Sequence, residues 1–230
     1  MKFHGFQKMT VLDYPGHIAC TAFTGGCNLR CPFCHNALLV TELDSSATID
    51  EEEILSFLKK RQGLLDGIAI TGGEPLLQPD MPAFIQKVKD LGFLVKLDTN
   101  GCYPDILRQL VEDKLVDYVA VDIKNSVPKY PETVGVPDFD VTPILETVAY
   151  LKTNPVAYEF RTTIVKEFHT EEDIRSIADW IAGPEPYFLQ NFTDSGHLIG
   201  SNLHEVGKEQ LEQFCRIAKE KVPLTKIRGV

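Results

Sequence analysis

The sequence predicts an α/β protein with a mostly parallel sheet, and two observations support this. Short apolar segments alternate along the chain with amphipathic ones, which is typical of parallel strands joined by crossover helices. Polar or glycine-containing motifs directly follow several of the apolar segments, and such folds gather their functional residues at the carboxyl ends of the strands. Six strand–helix units fit either a doubly wound sheet or an incomplete barrel, and the pattern alone does not distinguish these two folds.

The first part of the chain reads as an extension followed by the first strand. The turn residues at 13–16 predict a hairpin or strand pair leading into an apolar strand at 18–23. Residues 37–48 are predicted to be a loop or short helix with a linker. A helix from 51 to about 62 follows, because Thr48 or Asp50 can cap it and three glutamates occupy its first turn.

The remaining elements alternate regularly. Apolar or β-branched runs predict the strands, and apolar residues at helical spacing predict the helices. The predicted strands span 67–71, 94–98, 118–123, 157–165 and 187–191. The predicted helices span 81–91, 105–113, 141–152, 170–182 and 209–221.

Bulk composition limits the class of protein. The chain has 230 residues, a formal net charge of −10, 43% hydrophobic residues and 24% charged residues, which is ordinary for a globular protein. The negative charge argues against a general nucleic-acid or anionic-membrane surface. No signal peptide or transmembrane run is expected. We expect a single domain over 1–230, with an extension at 1–17, a core at 18–192, and a loop and C-terminal helix at 193–230.

Three cysteines lie within eight residues, as Cys27-x-x-x-Cys31-x-x-Cys34, just after the first predicted strand. Three thiolates can hold three irons of a 4Fe–4S cluster and leave one iron open to a ligand. The alternative is a zinc-binding module without catalytic activity, but structural zinc wants four ligands, and His35 is adjacent to Cys34. Because these cysteines must be thiolates, a reducing cytoplasm is the expected compartment.

This cysteine spacing, with an aromatic residue before the last cysteine, resembles the signature of the radical S-adenosylmethionine (SAM) enzymes. The following His35 and Asn36 resemble the branch that activates glycyl radical enzymes, above all the activating proteins of anaerobic ribonucleotide reductase. Pyruvate formate-lyase activase is a related family. The resemblance implies a partial (β/α)6 TIM-like barrel, a 4Fe–4S cluster and SAM. It also implies a glycyl radical enzyme as partner and an electron donor such as flavodoxin.

The resemblance assigns the motifs at the strand ends to cofactor binding. Gly72, Gly73 and Glu74 match the motif that meets the amino group of the methionine part of SAM, with the glycines allowing close backbone approach. By itself, such a sequence is also a plain strand-to-helix turn. Arg161 lies in the fifth strand, where its donors suit the carboxylate of the methionine part. The alternative for Arg161 is a buried Arg–Glu pair. Asn36 is also expected to contact the cofactor.

A monovalent cation is a further expectation from the resemblance. Its ligands would be Asp98, Thr99, Asp122 and the Ala120 carbonyl, which supply the oxygen atoms that hard cations prefer. Asp98 is in addition expected to bind the cofactor. Lys124 matches a cofactor- or substrate-contacting lysine, and its alternative is a structural ion pair with Asp122.

The sixth strand departs from pyruvate formate-lyase activase, which has a histidine in this region. Here Gln190 and Asn191 offer amides that can bond a ribose or a peptide backbone. The polar segment 193–207 is expected to be an exposed loop that touches the partner. The histidines in the last third of the chain are expected at the surface; they are His169, His197 and His204.

The sequence leaves the substrate open between two classes. Glycyl radical activation is favoured, with the anaerobic ribonucleotide reductase as the first choice of partner and pyruvate formate-lyase as the second. The alternative is a small-molecule enzyme resembling 7-carboxy-7-deazaguanine synthase, which would share the cluster and the strand-end motifs.

Overall fold

The computed structural model of the protein describes residues 1–44 and 47–229. Residues 45 and 46 of the predicted linker, and residue 230 of the predicted C-terminal region, lie outside the described residues. The described chain contains ten strands: β1 Lys2–Phe3, β2 Gly5–Thr10, β3 Ala19–Thr24, β4 Ile49–Asp50, β5 Gly67–Gly72, β6 Leu94–Thr99, β7 Tyr118–Asp122, β8 Ala157–Ile164, β9 Tyr187–Asn191 and β10 Thr225–Arg228.

Eight α-helices lie between these strands in the described residues. They are α1 Leu38–Thr41, α2 Glu51–Lys59, α3 Met81–Asp90, α4 Pro104–Glu112, α5 Tyr130–Val134, α6 Thr142–Leu151, α7 Glu171–Trp180 and α8 Lys208–Lys219. The limits of the twelve predicted elements differ from the observed ones by at most three residues, which is within the usual variation of element ends.

One sheet contains eight of the strands in the order β10-β9-β8-β7-β6-β5-β3-β2. All neighbours are parallel except β2 and β3, which form the predicted antiparallel pair. From β3 to β10 the spatial order follows the chain order. A doubly wound sheet would reverse direction at its centre, so this order is that of a partial barrel. Within the described residues, β2 and β10 are edges that do not pair with each other.

The sheet extends beyond the core limits expected from the sequence. Strand β2 comes from the extension 1–17, and β10 follows the last helix and pairs with β9. The short strands β1 and β4 form a separate two-stranded ribbon. The division into three regions within one domain therefore stays a prediction, while the sheet itself draws strands from all three.

Alternation along the strands separates the packing face from the polar face. In β6, Val95 and Leu97 are fully buried and belong to the hydrophobic core, whereas Lys96 and Asp98 lie on the opposite face. The polar face of the strands therefore points into the barrel, and apolar residues pack under the helices. No helix of the described chain combines the length and apolar character needed to cross a bilayer.

Candidate functional site

The carboxyl ends of the strands enclose a cavity of about 460 Å³, which is within the usual size of small-molecule sites. All the predicted site residues line it except Ala120, which is buried in the sheet. The predicted residues that line the cavity are Cys27, Cys31, Cys34, Asn36, Gly72, Gly73, Glu74, Asp98, Thr99, Asp122, Lys124, Arg161, Gln190 and Asn191. The fold thus brings the strand-end motifs together as the parallel topology requires.

The loop that carries the three cysteines is held by backbone contacts to distant parts of the chain. The N–H of Arg30 donates to the Val134 carbonyl at the end of α5, at 2.9 Å. The N–H of Gly200 donates to the Pro32 carbonyl at 2.8 Å. Phe33 is buried and packs against Phe168, with ring centroids 5.7 Å apart. These contacts fix the backbone of the cysteine loop over the cavity.

The surroundings of the thiols suit a metal-bound sulfur. Burial raises the pKa of Cys31 to about 12 and also raises the pKa of Cys27, so thiolates at these positions need a positive partner such as a metal. Cys27 Sγ accepts hydrogen bonds from the Leu29 N–H at 3.4 Å and from the Asn100 amide at 3.8 Å. Donors aimed at a ligand sulfur are typical of iron–sulfur sites.

The two glycines at the carboxyl end of β5 are required by the backbone conformation and by packing. Gly72 has φ = +115°, which residues with side chains rarely adopt. A Cβ on Gly73 would overlap the carbonyl oxygen of Gly26, at the start of the cysteine loop. The same oxygen accepts a hydrogen bond from the Glu74 N–H at 2.8 Å. Glycine at 73 therefore lets the cysteine loop lie directly on the end of β5.

Glu74 is almost completely buried and joins the ends of two strands. Its carboxylate accepts bonds from the Thr99 hydroxyl and from the Asn100 N–H, each at 2.8 Å, and from the Leu76 N–H at 3.0 Å. Burial raises the pKa of Glu74 to about 7, although these three bonds favour the charged form. The carboxylate thus ties β5 to β6 at the edge of the cavity.

Charged side chains from β6, β7 and β8 form a network on the cavity wall. Arg161 bridges two carboxylates, with its Nη1 3.0 Å from Asp98 Oδ2 and its Nε 2.8 Å from Asp122 Oδ1. Lys124 Nζ lies 3.1 Å from Asp122 Oδ2. The predicted alternatives are thus partly realised, because Lys124 does form an ion pair with Asp122, while Arg161 pairs with aspartates rather than with a glutamate.

The charges in this network control each other's ionisation. Burial alone would raise the pKa of Asp122, but Arg161 and Lys124 lower it well below its ordinary value. Burial likewise opposes the charged form of Lys124, yet Asp122 holds the pKa of this lysine above its ordinary range. Arg161 and Lys124 therefore stay positive at neutral pH and present cationic groups to the cavity.

The end of β9 connects the cavity to the segment 193–207. Asn191 exchanges hydrogen bonds with Val206, donating to its carbonyl at 3.0 Å and accepting from its N–H at 3.2 Å. The amide of Asn191 therefore orders the segment, while Gln190 lines the cavity. The segment borders an open groove of about 710 Å³, and Thr193 lines both the groove and the cavity.

Several residues at or behind the site had no role in the sequence-based prediction, and four of them have contacts or positions of particular interest. Lys96 pairs with Asp98, and Asn100 contacts Cys27. Arg228 comes from the unpredicted strand β10 and lines the cavity. His169 was expected at the surface, but it is buried, and its Nε2 contacts the Lys124 carbonyl at 2.9 Å. The contact of Asn100 was not predicted because this residue lies in a typical turn sequence after a strand. The burial of His169 was not predicted because this residue precedes a helix, where exposure is common. His197 and His204 are exposed, as expected.

Among residues 1–44 and 47–229, no three His, Cys, Asp or Glu side chains are placed to hold a single metal ion. The three cysteines nevertheless line one cavity, with N–H donors near one sulfur and cationic side chains across from them. This donor set fits an iron–sulfur cluster, in which each thiolate binds a different iron. The cavity and its cationic wall fit a ligand that carries a carboxylate.

Sequence comparisons connect this site to known proteins. The family model described as the Radical SAM superfamily matches residues 21–181. A Methanocaldococcus jannaschii protein, whose name describes a glycyl-radical enzyme activating enzyme, is 34% identical over 98% of this chain and 95% of its own length. A Methanopyrus kandleri 7-carboxy-7-deazaguanine synthase is 29% identical over 75% of this chain and 72% of its own length.

Two further proteins match part of the chain or its fold. A Staphylococcus aureus pyruvate formate-lyase-activating enzyme is 34% identical over 53% of this chain and 52% of its own length. The crystal structure of Streptococcus suis SuiB bound to precursor peptide SuiA covers 91% of this chain and 48% of that chain, with a TM-score of 0.71 and 15% identity. At that identity the structural match concerns the fold alone.

The family model covers the cysteine loop and five of the strands whose ends line the cavity. The predicted cluster and cofactor are confirmed by this match, and the zinc-only module is set aside. From its cysteine loop, its partial barrel and this match, the chain belongs to the radical SAM superfamily, whose cofactors are a 4Fe–4S cluster and S-adenosylmethionine.

Proposed function

We propose that this protein is an activating enzyme for a glycyl radical enzyme, and that its partner is an anaerobic ribonucleotide reductase. The observation that carries the activating function is the match to the M. jannaschii protein, which spans 98% of this chain and 95% of that protein. The two chains are thus alike over nearly their full lengths. The choice of ribonucleotide reductase rests on the resemblance of the cysteine loop, and pyruvate formate-lyase remains the second candidate partner.

Each cavity residue has a proposed role. Cys27, Cys31 and Cys34 hold the cluster. Gly72, Gly73 and Glu74 lie beside the methionine amino group. Arg161 and Lys124 receive the methionine carboxylate, because they supply the cationic donors of the cavity wall. The residues proposed to orient the rest of the cofactor are Asn36, Asp98, Gln190 and Asn191.

When bound, the cluster and SAM supply a 5′-deoxyadenosyl radical that removes a hydrogen atom from a glycine of the partner. The chain itself binds, orients and shields the reactants. Its wall of paired charges holds the guanidinium and ammonium groups in fixed positions, so a carboxylate docks without rearranging them. An external donor such as a flavodoxin supplies the electron, and we place the protein in a reducing cytoplasm, which suits thiolate ligands.

Access to the cavity suits a peptide substrate. The cavity lining includes Arg228 and Gly229, at the edge strand β10. It also includes Thr193, which continues into the groove of segment 193–207. A loop of a partner protein can therefore approach from the unclosed side of the barrel and along this groove. We propose that residues 1–230 form a single domain. We also propose that this groove is the surface that contacts the partner.

The second candidate is a small-molecule radical SAM enzyme that acts on a pterin. The match to the M. kandleri 7-carboxy-7-deazaguanine synthase over 75% of this chain supports it. The two candidates share the cluster and the cofactor, so cofactor cleavage alone does not separate them. The two candidates are distinguished by the molecule that donates the hydrogen atom, which is a glycine of a partner protein in one case and a pterin in the other.

The deciding experiment uses anaerobically purified protein reconstituted with iron and sulfide, reduced, and mixed with SAM. Addition of the anaerobic ribonucleotide reductase should produce 5′-deoxyadenosine and a glycyl radical signal in electron paramagnetic resonance. Cys31→Ala should abolish both, whereas Cys215→Ala, a buried cysteine on α8 outside the cavity, should retain both. A glycyl radical that forms on pyruvate formate-lyase but not on the ribonucleotide reductase would identify pyruvate formate-lyase as the partner. Turnover of a pterin, with no radical on either glycyl radical enzyme, would favour the second candidate function.

A further inference from the structure

A buried lysine completes the charged network on the cavity wall. Lys96 lies on the inner face of β6, two residues before Asp98, and its side chain is only 1% exposed. Its Nζ is hydrogen-bonded to Asp98 Oδ1. The network therefore runs from Lys96 through Asp98, Arg161 and Asp122 to Lys124. Positive and negative groups alternate along it, and both of its ends are positive.

This network occupies the oxygen atoms that the predicted monovalent cation would need. Asp98 Oδ1 and Oδ2 are bound by Lys96 and Arg161, and Asp122 Oδ1 and Oδ2 by Arg161 and Lys124. Each carboxylate oxygen thus already has a cationic donor. The Thr99 hydroxyl donates to Glu74 at 2.8 Å and accepts from the Gly101 N–H at 3.1 Å. Because these side-chain oxygen atoms are already engaged, their arrangement in this structure does not fit a free cation.

The charge balance gives the same result. Three cationic and two anionic side chains form the network, so one positive charge is left without an internal partner. A further cation beside the aspartates would raise this surplus to two positive charges, which is unfavourable where water is excluded. The surplus charge belongs to Arg161 and Lys124 at the cavity, where an anionic ligand can balance it.

The sheet provides a specific place for the lysine. Ala120 lies between Asp98 of β6 and Glu159 of β8 in the strand register. Its small side chain leaves space on the inner face of β7, across which Arg161 reaches Asp98. A buried ammonium is tolerated only when it is paired, and Asp98 supplies that partner. Lys96 therefore has the position and the charge that a bound ion beside Asp98 would have.

We propose that Lys96 is a built-in cation that replaces a free monovalent ion, positions Asp98 and Arg161, and makes this protein independent of Na⁺ and K⁺. The proposal rests on the cofactor site described under Proposed function, but it does not depend on which partner or substrate the protein acts on. Lys96 acts through Asp98 and is a positioning residue.

The first test measures thermal unfolding of the full chain in chloride salts of tetramethylammonium, sodium and potassium at equal ionic strength. The wild-type midpoint should be the same in the sodium and potassium salts as in tetramethylammonium chloride. Lys96→Ala removes the ammonium and leaves a hole beside Asp98, so K⁺ or Na⁺ should raise its midpoint by about 2–4 °C, saturably. Lys96→Met fills the hole without charge and should show no such rise.

The second test measures 5′-deoxyadenosine formation by the reconstituted enzyme in the same salts. Lys96→Ala should lose roughly 10- to 100-fold in rate in tetramethylammonium chloride, because Arg161 loses its fixed position. K⁺ or Na⁺ should restore part of the loss for Lys96→Ala and none for Lys96→Met. Lys89→Ala is the matched control: Lys89 pairs with Asp117 at 2.7 Å and does not line the cavity, and its salt response should equal that of the wild type.

A saturable effect of K⁺ or Na⁺ on the wild-type midpoint would overturn the proposal, as would a folded Lys96→Ala that ignores both ions. If Lys96→Ala is unfolded in every salt, the test uses Lys96→Arg and the wild type instead. Both proteins keep a positive charge at position 96, so the proposal expects the same thermal midpoint in all three salts for each of them. A midpoint of either protein that rises specifically with K⁺ or Na⁺ contradicts the proposal. The thermal measurement needs no partner protein, so its failure would leave the activating function standing.

Discussion

The side-chain amide of Asn36 donates a hydrogen bond to the carbonyl oxygen of Gly72 at 3.0 Å. This bond links the residue two positions after the last cysteine to the first glycine of the strand-end motif. Asn36 therefore helps to set the distance between the cysteine loop and the end of β5. Its contribution does not require a bound ligand, so it can be tested in the protein without cofactors.

We expect Asn36→Ala to lower the free energy of unfolding by about 1 kcal/mol, because the Gly72 carbonyl loses its partner. Iron content after reconstitution should also fall, since the cysteine loop is less well fixed. Urea unfolding and iron analysis measure these effects. The control is Gln62→Ala, which removes an exposed amide bond to the Leu91 carbonyl at 2.8 Å. Equal iron loading of Asn36→Ala and Gln62→Ala would contradict the prediction.

Gly73→Ala should be one of the most damaging single substitutions in the chain. Its Cβ would overlap the backbone oxygen of Gly26, and backbone cannot move aside as a side chain can. We expect a loss of about 3 kcal/mol or more in the free energy of unfolding, measured by urea titration. Gly183→Ala is the control, because the nearest atom to its Cβ, the Ile181 carbonyl oxygen, is 3.8 Å away. A stable Gly73→Ala would show that the loop does not sit on β5 as described.

The carboxylate of Asp173 gives the protein part of its resistance to acid. Burial by itself would raise the pKa of Asp173, but Lys129, Thr170 and Ser126 bind the charged form and lower it below its ordinary value. A lowered pKa in the folded state stabilises the fold above the unfolded-state pKa of about 3.9. This stabilisation is lost as the pH falls through the folded-state value.

Asp173→Asn should therefore cost about 1–2 kcal/mol at pH 7, because it removes the charge from the capping box of α7. The difference from the wild type should shrink steadily below about pH 4. Urea unfolding at a series of pH values measures this. Asp105→Asn is the control, since its pair with Arg108 at 3.4 Å is exposed and exposed pairs contribute little. A difference that is constant with pH would contradict the assignment.

Arg228 neutralises a buried carboxylate at the edge of the sheet. It binds both oxygens of Glu159 at 2.8 and 3.1 Å, and its guanidinium lies 3.6 Å from the centroid of the Phe188 ring. Glu159 is 0% exposed and also accepts a bond from the Tyr118 hydroxyl at 3.0 Å. The last strand is thus held to β8 by charge as well as by its backbone pairing with β9.

Arg228→Ala should cost about 2 kcal/mol, less than for a fully buried pair because Arg228 is partly exposed. Adding Glu159→Gln should recover part of the loss, since the uncompensated charge is removed, and the double-mutant coupling energy should reach about 1 kcal/mol. Arg175→Ala, which breaks exposed contacts at 3.7 Å to Glu171 and Glu220, should change little. Additive effects of the Arg228 and Glu159 substitutions would show that their bond contributes nothing.

Sequence periodicity was sufficient for the elements whose burial is regular. The strands β5 to β9 each combine apolar residues with polar or glycine residues in the carboxyl-terminal half, so both their type and the side of the sheet bearing the site were predictable. Strand β10 was missed because four residues with two lysine or arginine side chains carry no apolar pattern. Its place in the sheet depends on parallel pairing with β9 and on the Arg228–Glu159 pair, and neither is visible in a local window.

The site shows the same division between local and long-range information. Cys27, Cys31 and Cys34 were predictable because their spacing is a local property of the chain. The role of Lys96 was not, because a lysine inside an apolar strand has meaning only once Arg161, 65 positions later, is known to bind the same carboxylate. The packing need of Gly73 was hidden for a similar reason, since the obstructing atom belongs to Gly26.

The contact between Pro32 and Gly200 has a consequence for how the protein is made. This hydrogen bond cannot form until residue 200 has emerged from the ribosome. Contacts of such high sequence separation carry a large loop-closure cost and form late in folding. The backbone around the cysteines therefore reaches its final arrangement only after residue 200 has been synthesised. We therefore expect cluster insertion to follow the synthesis of residue 200, because a chain truncated before this residue lacks one of the anchors of its cysteine loop.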